Sequence, residues 1–247
     1  MTEDFEPRKH VAPTGIINRI KFSIRLLLDF QALTVYKNIR DFSRNFSGSI
    51  LDIGCGNSPF KHLFSKENIK YFGLDTIEAA NFRYHNKDVT LYDGKIIPFD
   101  AESFDGFICT EVLEHVLDYN NFASEIHRVL KKGGKGIVTV PWSARFHYAP
   151  YDYFRFTPSS LKYIFSNFSK MEIIPRGTDI TVIAAKIILI YVRNVINKKY
   201  LRTLLMSPLL ICCAPLILLA ILLGHISVLA NLGSNDDPLG YTIILIK

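Results

Sequence analysis

The chain has 247 residues, a length that suits one α/β domain with an insertion or extension and argues against two full domains. Hydrophobic residues make up 49% of the sequence and the formal net charge is +6, which is compatible with nucleic acid or an anionic membrane surface. The lysines and arginines form no compact run and no nucleic-acid-binding motif is present, so nucleic acid is not expected as a partner and a solvated basic surface remains open.

The four cysteines lack the spacing of metal ligands, so the sequence predicts no metal site. The free thiols and an acidic N-terminus without the layout of a secretory signal favour a cytoplasmic location. The cysteines are Cys55, Cys109, Cys212 and Cys213.

Residues 1–48 form the first of three stretches into which the chain divides. Isoleucine and leucine recur at helical spacing from Ile16 to Leu28, with basic residues between them, which predicts one helix. We favour a helix that caps the core domain. The alternative is a helix that lies on a membrane with its basic side chains toward lipid phosphates.

The second stretch, residues 49–177, alternates short apolar runs with helical patterns, as parallel βα units do. A helix with a buried stripe from Phe122 to Leu130 is predicted to end at the cations and glycines of residues 131–134. Together with residues 238–247, this stretch is predicted to form one α/β domain. The predicted strands are residues 49–53, 71–75, 104–109, 136–140, 171–175 and 240–247.

The third stretch, residues 178–237, is an apolar helical insertion before the last strand. Residues 203–234 contain no Asp, Glu, Lys or Arg. Within them, residues 204–223 have about the length of a bilayer-spanning helix, ~20 residues.

A glycine turn follows the first predicted strand at Gly54 and Gly56. Glycine lets the backbone turn sharply and lets a ligand approach without a Cβ in the way. A dinucleotide-binding turn would need a third glycine where Pro59 stands, so a ligand without a pyrophosphate fits better. Pro59 and Phe60 are expected to open a helix.

Two acidic residues follow the glycine turn at positions suited to an adenosine group. Asp75 ends the second strand, where it could accept hydrogen bonds from both ribose hydroxyls or, alternatively, cap a helix. Asp93 is placed in the loop after the third strand, where it could accept a hydrogen bond from an adenine amino group.

These features resemble the ordered motifs of class I S-adenosylmethionine-dependent methyltransferases, of the type 11-like group. The resemblance covers residues 48–177 and 240–247, and Pro98-Phe99-Asp100 with Ser103-Phe104-Asp105 extends it. It implies an α/β fold with a Rossmann-like sheet, mostly parallel with the last strand antiparallel, and S-adenosylmethionine as the cofactor. The cofactor-binding residues that it implies are Asp52, Gly54, Cys55, Gly56, Asp75, Asp93 and Glu111.

One position departs from the family pattern, because Ser58 stands where many members have a third motif glycine. Methyl transfer needs the acceptor, methyl group and sulfur in line and water excluded, since the sulfonium is already an activated leaving group. A base is needed only for an acceptor such as a hydroxyl. His115, after the fourth strand on the cofactor side, is the candidate catalytic base, and a structural histidine is the alternative.

An aromatic and charged segment, residues 145–157, follows the fifth strand at the edge where ligands bind in open α/β sheets. It resembles a Pro-x-Asp-x-x-Arg-x-Thr segment of methyltransferases associated with surface-glycan pathways, which implies an acceptor-site lid. The alternative is a surface loop held by an Asp152–Arg155 pair. The candidate substrate-binding residues are His147, Tyr148, Asp152 and Arg155.

The last strand pairs inside the sheet in this fold, so one complete membrane span before it would leave that strand on the wrong side. We expect an in-plane, monotopic anchor of two or three helices, with Lys198, Lys199 and Arg202 near lipid headgroups. The alternatives are a buried helical cover, a dimer interface, or a last strand outside the sheet. The expected location is the cytoplasm, peripheral or monotopic at the cytoplasmic membrane face.

The sequence therefore predicts a membrane-associated, S-adenosylmethionine-dependent methyltransferase that acts on a glycan-pathway or lipid-linked acceptor, with an anionic membrane surface as a partner. One alternative is a methyltransferase of a small lipophile such as a quinone precursor. Another is a non-catalytic S-adenosylmethionine-binding scaffold.

Overall fold

The computed structural model describes residues 12–78, 88–195 and 200–247, the side chains of residues 200–207 excepted. Within these ranges seven strands form one sheet. They are β1 (Gly48–Ile53), β2 (Ile69–Thr76), β3 (Val89–Tyr92), β4 (Phe104–Thr110), β5 (Leu130–Pro141), β6 (Lys170–Arg176) and β7 (Gly240–Ile246).

The sheet has the strand order β3-β2-β1-β4-β5-β7-β6. The first five strands in this order are parallel to one another, and β7 lies antiparallel between β5 and β6. Gly240 is opposite both Pro141 and Arg176. The prediction of a mostly parallel, Rossmann-like sheet with an antiparallel last strand is confirmed, and the alternative of a last strand outside the sheet is wrong.

Two helices, where the sequence predicted one, precede the sheet. The first, α1 (Ile16–Leu28), has the predicted bounds, and α2 (Phe30–Arg44) follows it directly. Asp29 separates them with an extended backbone, and its Oδ1 accepts a hydrogen bond from the Ala32 N–H at 3.1 Å. Asp29 therefore ends α1 through its extended backbone and caps the start of α2 with its carboxylate.

The helix α3 (Tyr119–Val129) ends one residue earlier than predicted. Leu130 pairs with Phe104 and begins β5, and residues 131–134 continue that strand instead of closing the helix. The register of β5 against β4 shifts after this pair, which accommodates the glycines inside the strand. Leu130 is fully buried, as predicted, but it belongs to β5 and not to α3.

The helix expected to open at Pro59 and Phe60 is a single short 3₁₀ helix, Lys61–Phe64. Phe60, directly before this helix, and Phe64, its last residue, are buried in the core. The chain after the glycine turn therefore forms one 3₁₀ turn before β2.

The sheet carries an apolar core on each face, because neighbouring strand residues point to opposite sides. Leu51 belongs to one cluster, which includes residues of α3 and of α4 (Pro158–Ile164). Ile50 belongs to the other, which includes residues of α2. A third cluster surrounds Phe30 and joins it to the apolar insertion.

The apolar insertion consists of two helices, α5 (Asp179–Val195) and α6 (Tyr200–Ala230), between β6 and β7. The end of α6 is tied to the start of α5, since Ser227 Oγ lies 2.7 Å from Thr178 Oγ1 and 2.6 Å from Thr181 Oγ1. The two helices therefore leave the sheet and return to it at one place. Lys198 and Lys199 lie outside the described residues, as does the side chain of Arg202.

Among the described residues, one helical segment is long and apolar enough to cross a membrane by length and composition, Pro208–Ala230. Its mean hydropathy is 2.7, and only 17% of that segment is buried.

Candidate active site

The candidate site lies at the carboxyl edge of the sheet, where the strand order reverses between β1 and β4. Gly54 follows β1, Asp75 lies at the end of β2 and Glu111 follows β4. The parallel register sets these strand ends side by side, with Ile53 opposite Leu74. The fold therefore brings three of the predicted cofactor-binding residues to one edge.

The glycine turn has a backbone that only glycine adopts without strain. Gly54 has a φ of 68° and Gly56 a φ of 50°. The N–H groups of Gly54 and Cys55 both donate to the Leu74 carbonyl, at 2.8 and 3.1 Å. A Cβ at Gly54 would lie 2.4 Å from Val112 Cγ2, so the turn also has no room for one. Cys55 is buried, and burial raises the pKa of its thiol.

Asp75 is fixed by two backbone hydrogen bonds. Its Oδ2 accepts from the Gly56 N–H and its Oδ1 from the Thr76 N–H, both at 2.8 Å. Burial raises the pKa of the Asp75 carboxyl. Each oxygen keeps a second lone pair, so the carboxylate can still accept from two adjacent hydroxyls.

Asp52 is buried inside the sheet beneath the glycine turn. Its Oδ2 accepts a short hydrogen bond from the Tyr71 hydroxyl, and its Oδ1 has no hydrogen-bond partner among the described residues. Burial raises the pKa of Asp52 to about 7, although the Tyr71 hydrogen bond opposes the rise. A buried oxygen without a donor is a fitting counterpart for a ligand amino group.

Asp93 is exposed and shapes its own loop. Its Oδ1 accepts from the Lys95 N–H at 2.9 Å and from the Ile96 N–H at 3.3 Å. These hydrogen bonds lower the pKa of Asp93. A contact from Asp93 to an adenine ring stays a prediction.

Glu111 forms a pair with a buried arginine that the sequence did not single out. Its Oε1 lies 2.7 Å from a guanidinium nitrogen of Arg176, which also donates to the Val140 carbonyl at 3.0 Å. The guanidinium reaches α2 as well, where it donates to Gln31 Oε1 at 3.1 Å. Arg176 thereby connects α2, β5 and Glu111. In the sequence, only its position directly after a predicted strand could have indicated this role.

His115 lies at the end of the 3₁₀ helix Leu113–His115. Its Nδ1 is 2.7 Å from the Tyr151 carbonyl oxygen. A carbonyl oxygen only accepts, so Nδ1 carries the proton and the neutral ring presents the lone pair of Nε2. Burial lowers the pKa of His115, which favours that neutral ring.

The segment 145–157 is held over His115 by an ion pair. Both oxygens of the buried Asp152 carboxylate accept from Arg155, at 2.5 and 2.8 Å. Asp152 Oδ2 also accepts from the His147 N–H at 3.0 Å. The His115 ring makes edge contacts with His147 and Tyr148, at centroid distances of 5.0 and 5.5 Å. The pair thus holds the loop in shape, and contacts from these side chains to an acceptor stay a prediction.

Glu114 is fully buried under this segment and was not singled out by the sequence. Neither of its carboxylate oxygens has a hydrogen-bond partner among the described residues, and burial raises the pKa of the carboxyl. Ligand atoms of Glu114, His115 and His147 all lie within 4.8 Å of one another, so these three could hold a metal ion. Sequence spacing could not reveal this group, because His147 comes from a different loop.

Comparison with known proteins agrees with this geometry. Residues 51–138 match the family model described as a methyltransferase domain. An uncharacterised protein of Methanocaldococcus jannaschii is 31% identical over 121 residues, which are 47% of this chain and 53% of that protein. A ubiquinone biosynthesis O-methyltransferase of Coxiella burnetii is 30% identical over 94 residues, 35% of this chain and 40% of that enzyme. The chain thus spans about half or less of these relatives.

A crystal structure of a SAM-dependent methyltransferase from Archaeoglobus fulgidus has the same fold. The TM-score is 0.55 at 16% sequence identity, and the match covers 92% of this chain and 99% of that one. Residues 51–138 are therefore similar to a methyltransferase domain, the sheet has the fold of that S-adenosylmethionine-dependent methyltransferase, and S-adenosylmethionine is the cofactor of this domain.

Proposed function

We propose that the whole protein is a membrane-associated methyltransferase that transfers the methyl group of S-adenosylmethionine to a lipid-linked or glycan-pathway acceptor. The observation that best supports methyl transfer is that the predicted cofactor-binding residues and His115 lie at the same edge of the sheet. Asp52, Asp75 and the glycine turn lie at the strand ends, and His115 with the segment 145–157 covers the same edge.

The residues at this edge fit the cofactor. The unpartnered Oδ1 of Asp52 suits the cationic amino group of the methionine moiety, and the fixed carboxylate of Asp75 suits the ribose hydroxyls. When bound, the cofactor supplies a methyl group on a positively charged sulfur, which is an activated leaving group. The protein's own task is to align the acceptor and to exclude water.

His115 is the base in this proposal. Its Nδ1 is held by the Tyr151 carbonyl, and its lowered pKa keeps Nε2 free to accept a proton near neutral pH. A hydroxyl acceptor would need this proton removal. Glu114 Oε1 lies 3.7 Å from Nε2, so the buried carboxyl group borders the nitrogen that takes the proton.

The apolar and aromatic residues that border the site support a lipid-linked or glycan-pathway acceptor. The apolar helix α5 reaches the end of β5, where Lys186 Nζ donates to the Ser143 carbonyl at 3.0 Å. The segment 145–157 adds aromatic side chains, of which Phe146 and Tyr151 are exposed. A ligand with an apolar part and a polar head suits such surroundings.

The second candidate function is methylation of a small lipophile such as a quinone precursor. The similarity to a ubiquinone biosynthesis O-methyltransferase favours it, at 30% identity over 40% of that enzyme. A non-catalytic scaffold that only binds S-adenosylmethionine is the third candidate.

The test is transfer of a radiolabelled methyl group from S-adenosylmethionine into fractionated lipid and glycan extracts. We expect label in a lipid-linked or glycan fraction, and at least about a hundredfold loss with His115→Gln if the acceptor is a hydroxyl. His127→Gln is the matched control and should keep activity, because His127 lies on α3 with its ring against Phe168. Label only in quinone precursors would support the second candidate.

Two other outcomes would contradict the proposal. Cofactor binding without transfer to any fraction supports the scaffold. Calorimetry that finds no S-adenosylmethionine binding by the folded protein, with or without detergent, would exclude both enzyme candidates.

A further inference from the structure

The helix α6 exposes apolar side chains on the side that faces away from the protein. Its buried stripe consists of Ile217, Ala220, Gly224 and Ser227, which are mostly small residues at helical spacing. The outward side is as apolar as the inward one, whereas a helix on a water-facing surface carries polar residues there. The exposed stripe consists of Ile211 (72%), Leu218 (68%), Leu222 (56%) and Leu229 (80%).

The helix α1 exposes a second apolar stripe. None of its residues is buried, and it contains no acidic side chain. Arg19 and Lys21 are exposed between its isoleucines. The stripe consists of Ile16, Ile20, Ile24 and Leu27, all between 47% and 78% exposed and spaced three or four residues apart.

The end of α1 touches α6, although the two helices are far apart in sequence. His225 Nε2 lies 3.1 Å from the Leu27 carbonyl oxygen, and the His225 ring packs on Phe30 with centroids 5.0 Å apart. A Cβ at Gly224 would lie 2.3 Å from the Phe30 ring, so α6 approaches the α1–α2 junction closely. The junction fixes the position of one exposed stripe relative to the other.

We propose that the exposed faces of α1 and α6, with the exposed Ile183, Ile187 and Ile190 of α5, form one docking surface for an anionic lipid bilayer. The proposal deepens the proposed function by assigning its membrane contact to particular residues. The hairpin of α5 and α6 leaves and rejoins the sheet at one place, which excludes a single crossing of the bilayer, and the proposal places the surface in one leaflet.

Charge favours a bilayer over a second copy of the chain. The cations Arg19 and Lys21 flank the α1 stripe, and no described residue of α1 or α6 is acidic. Two copies joined through this surface would bring their cations together, whereas phosphate headgroups would neutralise them.

The docking surface also determines how a lipid-linked acceptor reaches the candidate active site from the bilayer. Gln31 of α2 donates to the Leu239 carbonyl at 2.9 Å, and Lys186 of α5 donates to the Ser143 carbonyl. These contacts join α5, and the helix α2 that follows α1, to the carboxyl end of β5, beside the candidate active site. An acceptor with a lipid tail can therefore keep its tail in the bilayer while its polar head reaches His115.

The test is flotation of the full-length protein with vesicles of phosphatidylcholine, with and without phosphatidylglycerol. We expect binding to anionic vesicles that weakens with salt. Leu218→Glu with Leu222→Glu should reduce binding at least about tenfold, as should Ile20→Glu with Ile24→Glu. Tyr163→Glu is the matched control, because Tyr163 is 73% exposed on α4 and should bind as the unchanged protein does.

Unimpaired binding by either double variant would overturn the proposal, as would a salt-stable dimer by light scattering that both double variants make monomeric. Calorimetry with S-adenosylmethionine, done without vesicles, shows that each variant is folded. It also separates docking from catalysis: cofactor binding without vesicle binding rejects the docking surface but not the methyltransferase activity, and vesicle binding without cofactor binding rejects the methyltransferase activity but not the docking surface.

Discussion

Burial raises the pKa of the Asp52 carboxyl from 3.8 to about 7, although the hydrogen bond that it accepts from the Tyr71 hydroxyl lowers it in part. A raised pKa in the folded state means that the contribution to stability is complete below the unfolded pKa and is lost as pH rises through the folded one. We expect the free energy of unfolding of the cofactor-free protein to contain a fall between about pH 4 and about pH 7. Denaturant unfolding at a series of pH values measures it.

Asp52→Asn should remove this fall. Asp93→Asn is the control, because the pKa of Asp93 is lowered and its contribution is lost only as pH falls. An unchanged pH profile in Asp52→Asn would show that the group does not titrate as described.

Cofactor affinity should depend on the same carboxyl group. Ionised Asp52 attracts the cationic amino group of S-adenosylmethionine, so affinity should rise as pH increases through about 7. The Tyr71 hydrogen bond lowers the pKa of Asp52, and Tyr71→Phe should therefore move the midpoint of this rise to higher pH. Calorimetric titration over a pH series checks both expectations, and an unmoved midpoint would contradict the role of the hydroxyl.

Two glycines separate the effect of backbone conformation from the effect of close packing. Gly54 and Gly133 have φ values of 68° and 73°, but a Cβ would clash with Val112 only at Gly54, since nothing lies within 4 Å at Gly133. Gly133→Ala should lower the free energy of unfolding by about 1 kcal/mol and leave cofactor affinity intact. Gly54→Ala should lower it further and weaken cofactor binding, as unfolding and calorimetry would show. Equal losses in the two variants would mean that Val112 moves aside.

At the scale of elements, the segment 145–157 depends on one ion pair. Arg155→Met leaves the buried Asp152 carboxylate without its main partner, whereas Asp152→Asn removes that charge. Arg155→Met should therefore destabilise the protein more, by up to about 3 kcal/mol, and increase cleavage within the segment in limited proteolysis. S-adenosylmethionine affinity should stay within a few-fold in both variants. A larger loss in Asp152→Asn would contradict this and show that Arg155 is the costlier of the two charges to leave without a partner.

The elements themselves were predictable where the signal is local. The apolar runs of β1, β4 and β7 are mostly buried, so the sequence located these strands within two residues, and it located β2 as closely although Phe72 is exposed. The sequence did not predict the break between α1 and α2, because it depends on the single capping residue Asp29. It did not predict the start of β5 either, because a buried leucine such as Leu130 fits the end of α3 as well as the start of the strand.

The site was predictable to the extent that it follows from strand ends. Gly54, Asp75 and Glu111 each end or follow a parallel strand, so one topology brings them together. Arg176 and Tyr71 could not be identified, because each acts on a residue from a distant part of the chain through tertiary packing. The clustering of His147 with His115 likewise depends on the course of a loop.

For the whole molecule, cofactor binding should add stability. A ligand that binds only the folded state at a hundredfold excess over its Kd adds about 2.7 kcal/mol. S-adenosylmethionine and S-adenosylhomocysteine should both raise the Tm, while ATP, which has the adenosine but not the methionine part, should raise it much less. Thermal unfolding measures this, and an equal effect of ATP would argue that the methionine end is not recognised.

The position of β7 also governs the order in which the molecule can fold. β6 makes its sheet hydrogen bonds to β7, so it has no place in the sheet until β7 has bound to β5. The chain between β6 and β7 is the apolar pair α5 and α6, and closing that long loop is opposed by its entropy. If the helices have already paired, the ends of the loop are near each other and the closure is much easier. Completion of the sheet and seating of the apolar hairpin are therefore a single cooperative event.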